Sequence, residues 1–449
     1  MKVVVIGAGA TGLAASYLLA RAGVKVTVVE AADRPGGLLA TFNAGDGHRL
    51  EHYYHHFFTH DAEINWLLGQ LGLSDRVIFR KTSMGMFRGG RLYPFNGPKD
   101  LLGFDAVGLT ARLRFGLSSA LLACRKAYSR NERLSCLQWF DHWAGPEATD
   151  AIWRPLLRVK FGEAAERIPL AWMAGRLRQR ALSRKRGEET LGYLDGSLQV
   201  LVDRLVEELV ARGVEIRAGT HIEGLILEQA AVAGVRTPAG EIRGDRVIST
   251  IPTPVLSRLV EPINPGYAAR LSAIEYLGAV CTVLSLKQPL SSIYWTNVAD
   301  PGYSFGGVIE HTNFVPAERY GGRHLVYLSR YLSVADPLWA MDDAALLQLQ
   351  LDELSRMFGR RIERTLQRHW VFRGRFAATL TDLGFHRRIP RFRSPVENLY
   401  VASMCHIYPD ERSVNNSIRV AAELVHAMGL AEGAMSVPCG ISLAARYGA

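Results

Sequence analysis

Val3-Val4-Val5-Ile6 is an unbroken β-branched run without polar alternation, the pattern of a parallel strand buried on both faces. Leu13 to Ala22 then carries small and apolar residues at helical spacing and stops at Gly23. Lys25 to Val29 is a second short strand, closing on Glu30. Further along, Arg204–Arg212 has helical spacing and leads through Gly213 into a strand at Val214–Arg217. His221–Leu227 and Gly234–Thr237 read as a hairpin pair, and Asp245–Ile251 as a buried strand stopped by Pro252. Glu397–Met404 is another strand, followed by a helix over Asn415–Met428. Leu101–Cys124 is apolar but carries Asp105, Arg112 and Arg114, which predicts a buried or surface-lying helix and not a membrane span. Strands alternating with helices predict an α/β fold.

Between the first strand and first helix lies Gly7-Ala8-Gly9-Ala10-Thr11-Gly12. Gly7 permits a tight turn, Gly9 lets the backbone approach a pyrophosphate, and Gly12 lets the helix pack close to the strand. Ala10 and Thr11 belong to the same loop and are expected at the cofactor, before a helix whose free N–H groups and dipole face the phosphates. Glu30, at the tip of the second strand, is placed to accept from an adenosine ribose.

The next residues, Arg34-Pro35-Gly36-Gly37-Leu38, continue the series as E-x-x-x-R-x-G-G. This resembles the fingerprint of the glutathione-reductase-like FAD enzymes, which implies FAD as cofactor with Arg34, Gly36, Gly37 and Leu38 along it. Asp245–Pro252 (DRVISTIP) and Glu397–Met404 (ENLYVASM) resemble the later FAD motifs of the amine oxidase and protoporphyrinogen oxidase superfamily. The resemblance implies a Rossmann-like (glutathione-reductase-type) FAD-binding domain built from residues 1–80, 190–260 and 390–430. Residues 81–189 and 261–389 would then form an interleaved α+β substrate region, with a C-terminal tail at 431–449. It also implies cofactor contacts from Ile222, Ser403 and Met404. That superfamily ends its last FAD strand in A-G-[DE], so Ser403-Met404 departs from its pattern. No second G-x-G-x-x-G follows a strand, so a built-in NADPH domain is not expected.

The formal charge of +10 over 449 residues points to an anionic partner, and the absence of a Lys/Arg tail argues against nucleic acid. Five scattered cysteines without a CxxC pair predict a reducing, cytoplasmic setting and no disulfide framework. Peripheral contact with the inner face of a membrane stays open, given Arg125 and Lys126 beside the apolar stretch.

Between Arg154 and Arg186 stand ten Lys/Arg against Glu163 and Glu166. The plain reading is a solvated helix face; the sharper one is a cleft for an anionic small molecule, with Arg154, Arg158 and Lys160 as ligands. The segment Gly192–Gln199 also resembles the flavoprotein superfamily and adds Tyr193. Arg412, His406 and Tyr408 follow the last FAD strand and are expected near the flavin. Tyr294-Trp295 are either cleft residues or buried strand.

Four of the 13 histidines fall in Glu51–His60, EHYYHHFFTH. His52, His56 and His60 would align on a helix, as metal ligands do, but the aromatic content and the preceding Gly45-Asp46-Gly47 turn predict an extended or irregular path and no metal. A separate helix begins near Asp61. The stretch is similar to the short histidine-aromatic motif of UDP-galactopyranose mutase, which implies that His55, His56 or His60 stands beside the flavin. A purely structural, hydrogen-bonded strand is the alternative.

The expected function is an FAD-dependent dehydrogenase or oxidase acting on an anionic small molecule, such as a phosphorylated sugar or lipid-linked glycan. Hydride would leave a C–H bond for the flavin while a histidine or tyrosine handles the proton. The alternatives are a redox-neutral flavin-dependent sugar mutase and a flavin-bearing binding protein without chemistry.

Overall fold

The computed structural model describes residues 1–124, 131–185 and 188–430. Arg125, Lys126, Arg186 and the 431–449 tail lie outside the described residues.

One parallel sheet takes its five strands, in spatial order, from Glu215–Arg217, Lys25–Val29, Lys2–Ile6, Arg246–Ser249 and Leu399–Val401. Val3, Val4 and Val5 are completely buried at its centre, as a strand covered on both faces must be. On one face the helix Ala10–Arg21 packs against the closing helix Val414–Ala427, so the first and last described helices share one core. The predicted hairpin forms as antiparallel strands Gly224–Glu228 and Ala231–Thr237, extended by a third at Gly240–Arg243. Its first strand starts at Gly224; Ile222 precedes it and packs on the Val4–Ile6 cluster.

A second, mixed sheet of seven strands carries the other half of the molecule. Its spine is Tyr276–Leu286, flanked by Leu366–Thr379 and His324–Leu332. The chain between the sheets is helical: Leu109–Cys124, Cys136–Trp143, Arg154–Phe161 and Leu170–Ser183 pack around Phe140, Trp153 and Leu170.

The apolar stretch over Leu101–Cys124 is two helices, Pro98–Leu102 and Leu109–Cys124, and not one. Gly103 ends the first, and Phe104 drops into the core edge-on to Tyr93 at 4.8 Å and to Phe95 at 5.4 Å. Asp105 then accepts from Tyr93 Oη at 2.7 Å, which a continuous helix would forbid.

The halves are joined at Glu51, at the end of the strand Arg49–Glu51 and 1% exposed. Its carboxylate accepts from Tyr193 Oη and from the Leu198 N–H, both at 2.6 Å. Its carbonyl accepts from Tyr327 Oη, on the seven-stranded sheet, at 2.9 Å. Burial raises the Glu51 pKa while these donors oppose the rise. Glu51→Ala would leave two buried donors unpaired, at about 1–3 kcal/mol each. We expect Glu51→Ala to lose about 3 kcal/mol in denaturant unfolding, and Glu51→Gln, which keeps an acceptor, to lose distinctly less. Equal losses would mean that packing, not hydrogen bonding, holds this junction.

Candidate active site

The glycine loop is shaped by contacts that admit no side chain. Gly7 turns with φ +99°, and a Cβ on Gly12 would lie 1.9 Å from the Gly7 carbonyl oxygen. Gly9 and Gly36 form a parallel bridge, and a Cβ on Gly37 would come within 3.0 Å of Gly9 Cα. The two glycine motifs are therefore pressed together, leaving backbone but no side chains where a phosphate chain must pass. The helix behind them starts at Ala10 with no side-chain cap, so its first N–H groups remain for a ligand. Thr11 sits half-buried on that turn. Glu30 accepts from Ala8 N at 2.6 Å and Ala32 N at 2.9 Å; it locks the loop while keeping lone pairs for a ribose. Arg34 is exposed and Leu38 half-buried at the same edge. These residues suit a dinucleotide such as FAD.

A cavity of about 850 Å³ lies between the seven-stranded sheet and the helices Leu109–Cys124, Arg154–Phe161 and Leu170–Ser183. Its inner wall brings together His55 and His56 from the histidine stretch, and Met404, Tyr408 and Arg412 from the loop after the last parallel strand. After Glu51, which ends a strand, the histidine stretch is irregular apart from Phe57–Phe58, which pairs as strand with Leu191-Gly192. Tertiary contacts, not helical periodicity, aim each imidazole. His55 Nδ1 lies 2.7 Å from the Tyr53 carbonyl, which can only accept, so Nδ1 carries the proton and Nε2 is an acceptor. His56 Nδ1 is 3.4 Å from Tyr294 Oη, and its ring meets Trp295 edge-on at 6.0 Å. Burial, with Arg412 next, lowers the His55 pKa to about 4; burial, with Arg180 next, lowers His56 to about 3. Both imidazoles are neutral at pH 7.

The other two histidines diverge from this wall. His52 stacks on Phe372 at 4.1 Å and His60 on Phe58 at 5.4 Å, and neither lines the cavity. Among the described residues no three His, Cys, Asp or Glu side chains converge on a common point that could hold a metal ion.

The cations of the substrate half divide in the same way. Lys160 and Arg412 line the cavity, joined by Arg176 and Arg180 from the Leu170–Ser183 helix. Glu411 pairs with both Arg176 and Lys160, the latter at 3.2 Å, while Arg180 pairs with Glu189 at 3.1 Å. Arg412 stacks over the Tyr331 ring at 5.1 Å and donates to its hydroxyl. Crowding shows in their ionisation. Burial and then Arg176 hold Lys160 well below the ordinary lysine value, and burial and then Arg180 lower Arg176 to about 9. Arg154 stays outside: it is locked between Asp141, Asp150 and Glu166 on the helix surface. Arg158, 64% exposed, also pairs with Glu166. Tyr193 is buried under Glu51 and does not reach the cavity.

Past the last parallel strand, Ser403 caps the short turn Met404–Ile407, and His406 Nδ1 accepts from Ser403 N at 3.1 Å. The His406 ring stacks on Phe392 at 4.8 Å, 1% exposed, so it shapes the loop from behind. Tyr408 lines the cavity but donates its hydroxyl to Glu132 at 2.7 Å. Sequence reasoning did not single out Arg176 and Arg180 as ligands. Their signal was the Trp172, Arg176, Arg180 spacing, which puts all three on one helix face. Tyr331 carried no local signal.

Residues 10–423 match the family model for flavin containing amine oxidoreductases. Among curated proteins, the chain is 26% identical over 408 residues to the flavin-dependent L-tryptophan oxidase of Lentzea aerocolonigenes, covering 79% of this chain and 80% of that one. It is 29% identical over 314 residues to human protoporphyrinogen oxidase, covering 61% and 64% of the two chains. It is 26% identical over 281 residues to the 15-cis-phytoene desaturase of Arabidopsis thaliana, a match over 58% of this chain and only 49% of the plant protein. The fold is similar to that of reduced UDP-galactopyranose mutase, with a TM-score of 0.75 at 16% identity over 97% of this chain and 95% of that one. With the family model spanning nearly the whole described chain, and a glycine cradle suited to the cofactor, this protein belongs to the flavin-containing amine oxidoreductases and is an FAD-dependent enzyme.

Proposed function

We propose that the enzyme is a dehydrogenase or oxidase whose substrate is an anionic amphiphile, closer to a lipid-linked glycan than to a free sugar phosphate. The observation that carries this reading is the polarity of the cavity. Near the histidines its lining is cationic, with Asp410 and Glu411 as the acids among the described lining residues. Asp410 is matched to Arg419 at 2.9 Å and Glu411 to Lys160 and Arg176. Arg412 thus faces the cavity with Tyr331 and, among the described residues, no carboxylate partner. A planar guanidinium so placed suits a carboxylate or phosphate. Farther out the lining is apolar, with Leu101, Leu113, Phe115, Leu117 and Leu156, and suits a hydrocarbon chain.

FAD, when bound, supplies the hydride acceptor. The chain's own residues would orient the substrate and keep water out. His55, with Nε2 left to accept, takes a hydrogen bond from a substrate hydroxyl and, staying neutral, adds no charge beside Arg412.

A redox-neutral sugar mutase is the second reading, favoured by the position of His55 and His56 on the cavity wall and by the mutase-like fold. Anaerobic mixing separates the two. Bleaching of the oxidised flavin by substrate alone supports the dehydrogenase, whereas turnover only after dithionite reduction supports the mutase.

Phosphorylated and carboxylated compounds, with and without alkyl tails and beside neutral isosteres, supply the substrates. Arg412→Ala is expected to raise KM for the active anionic compound 10- to 100-fold, since a hydrogen bond to a charged group is worth about 1.5–3 kcal/mol. The neutral isostere should react equally with both proteins, and the bound flavin spectrum should not change. Equal loss for both compounds would refute the assignment.

The buried histidines also set an acid limit. In the unfolded chain a histidine takes its proton near pH 6.5, whereas His55 and His56 resist it until about 4 and about 3. The unfolded state therefore binds more protons between those values, and stability falls as pH drops below about 6.5, by up to about 1.4 kcal/mol per pH unit for each histidine. Melting temperatures of FAD-loaded protein from pH 8 to pH 4.5 should show this acid limb, and His55→Asn with His56→Asn should flatten it.

A further inference from the structure

The outer face of the Leu109–Cys124 helix is apolar where solvent would demand polar residues. Leu109, Leu113, Leu117 and Leu121 recur every fourth position and are 57%, 57%, 74% and 47% exposed. Spacing by four places them along one side of the helix. The opposite side, with Ala111, Phe115, Ser118 and Leu122, is already buried in the core. Leu102, 51% exposed, ends the preceding helix, and Leu182, 60% exposed, ends the Leu170–Ser183 helix that packs against this one. Exposed leucines in such a row mark an interaction surface.

Two observations choose the occupant. First, the charges around the row favour an anionic surface. The segment from Pro98 to Cys124 contributes Lys99, Arg112 and Arg114, with Lys99 and Arg114 exposed. Its acids, Asp100 and Asp105, are engaged within the protein: Asp100 accepts from Asn96 N at 2.7 Å and Asp105 pairs with Arg91 at 3.0 Å. Second, Leu113 and Leu117 belong to the exposed row and also line the cavity, so the apolar interior is continuous with this face. A protein partner would have to close that mouth, whereas the hydrocarbon edge of a bilayer would extend it.

We propose that the leucine face of the Leu109–Cys124 helix docks the protein on an anionic lipid bilayer, with the cavity mouth opening into the lipid. The helix would lie in the interface plane, leucines inserted and cations at the headgroups. No helix among the described residues is long and apolar enough to cross a membrane, so the attachment is one-sided. This docking goes beyond the oxidoreductase reading and does not depend on it.

The test is co-sedimentation of full-length, FAD-loaded protein with vesicles of phosphatidylcholine, with or without phosphatidylglycerol. Wild type is expected to pellet with the anionic vesicles and weakly with the neutral ones. Leu109→Glu with Leu121→Glu, two positions outside the cavity lining, should weaken that binding at least tenfold while keeping the flavin spectrum and melting temperature. A fluorophore on Cys124, exposed at the end of the helix, in a Cys439→Ser background, gives a reading that needs no helix variant. Brominated phosphatidylglycerol should quench it in vesicle-bound protein. Failure of wild type to bind, equal binding by the variant, or an unquenched dye overturns the proposal. So does vesicle-free self-association abolished by the same two substitutions, which would assign the face to a second copy of the chain. Flavin content and bleaching are read separately, so a vesicle result leaves the redox assignment untouched.

Discussion

The buried carboxylate of Glu51 fixes the relation between the parts of this enzyme that have to cooperate. It binds the end of one strand to the Leu198 turn and to Tyr193, while its carbonyl is held by Tyr327 of the seven-stranded sheet. The chain leaving Glu51 runs directly into the residues that face the cavity. An irregular segment has no ladder of its own to hold it, so its geometry is set by such anchors. Removing the carboxylate would do more than lose two hydrogen bonds: it would release His55 and His56 from the frame that orients them.

Within that frame the electrostatics are unusual. Lys160, Arg176, Arg180 and Arg412 are among the cations that line the cavity, and burial, with repulsion between neighbouring cations next, lowers the pKa of Lys160 and Arg176. Glu411, shared between Lys160 and Arg176, and Glu189, on Arg180, relieve only part of this. A fold does not gather like charges for stability. Burial keeps the histidines neutral, and the cations add to it, because an imidazolium beside Arg412 or Arg180 would put a further positive charge into a desolvated site. Burial and this excess of positive charge together account for the uncharged histidines, and the same excess is what supports the anionic ligand proposed above.

Much of this was legible in the sequence wherever the constraint is local. The strand, glycine loop, helix, strand and acid of the first thirty residues each follow from a backbone requirement, and the Cβ clash at Gly12 shows how strict that requirement is. The α/β class and the FAD cradle follow from the same segment. Residue roles in the substrate half were less legible, because partners distant in the chain decide them. Arg154 looked like a ligand, but Asp141 and Glu166 capture it on the surface. Tyr193 looked like a cleft residue, but Glu51, 142 residues earlier in the chain, takes its hydroxyl. His60 shares the histidine stretch yet turns to Phe58, since an irregular backbone gives neighbouring side chains no common direction.

The departure at Ser403-Met404 follows the same logic. Where the superfamily pattern has glycine and an acid, this chain builds the turn with a neutral device: Ser403 caps it, His406 closes it through Nδ1, and Phe392 backs the imidazole. Burial keeps His406 uncharged, lowering its pKa to about 4, so the turn holds its shape without introducing a negative charge. Arg412 follows on the same loop and faces the cavity, so the loop that departs from the superfamily pattern also carries the cation on which the proposed anionic substrate depends.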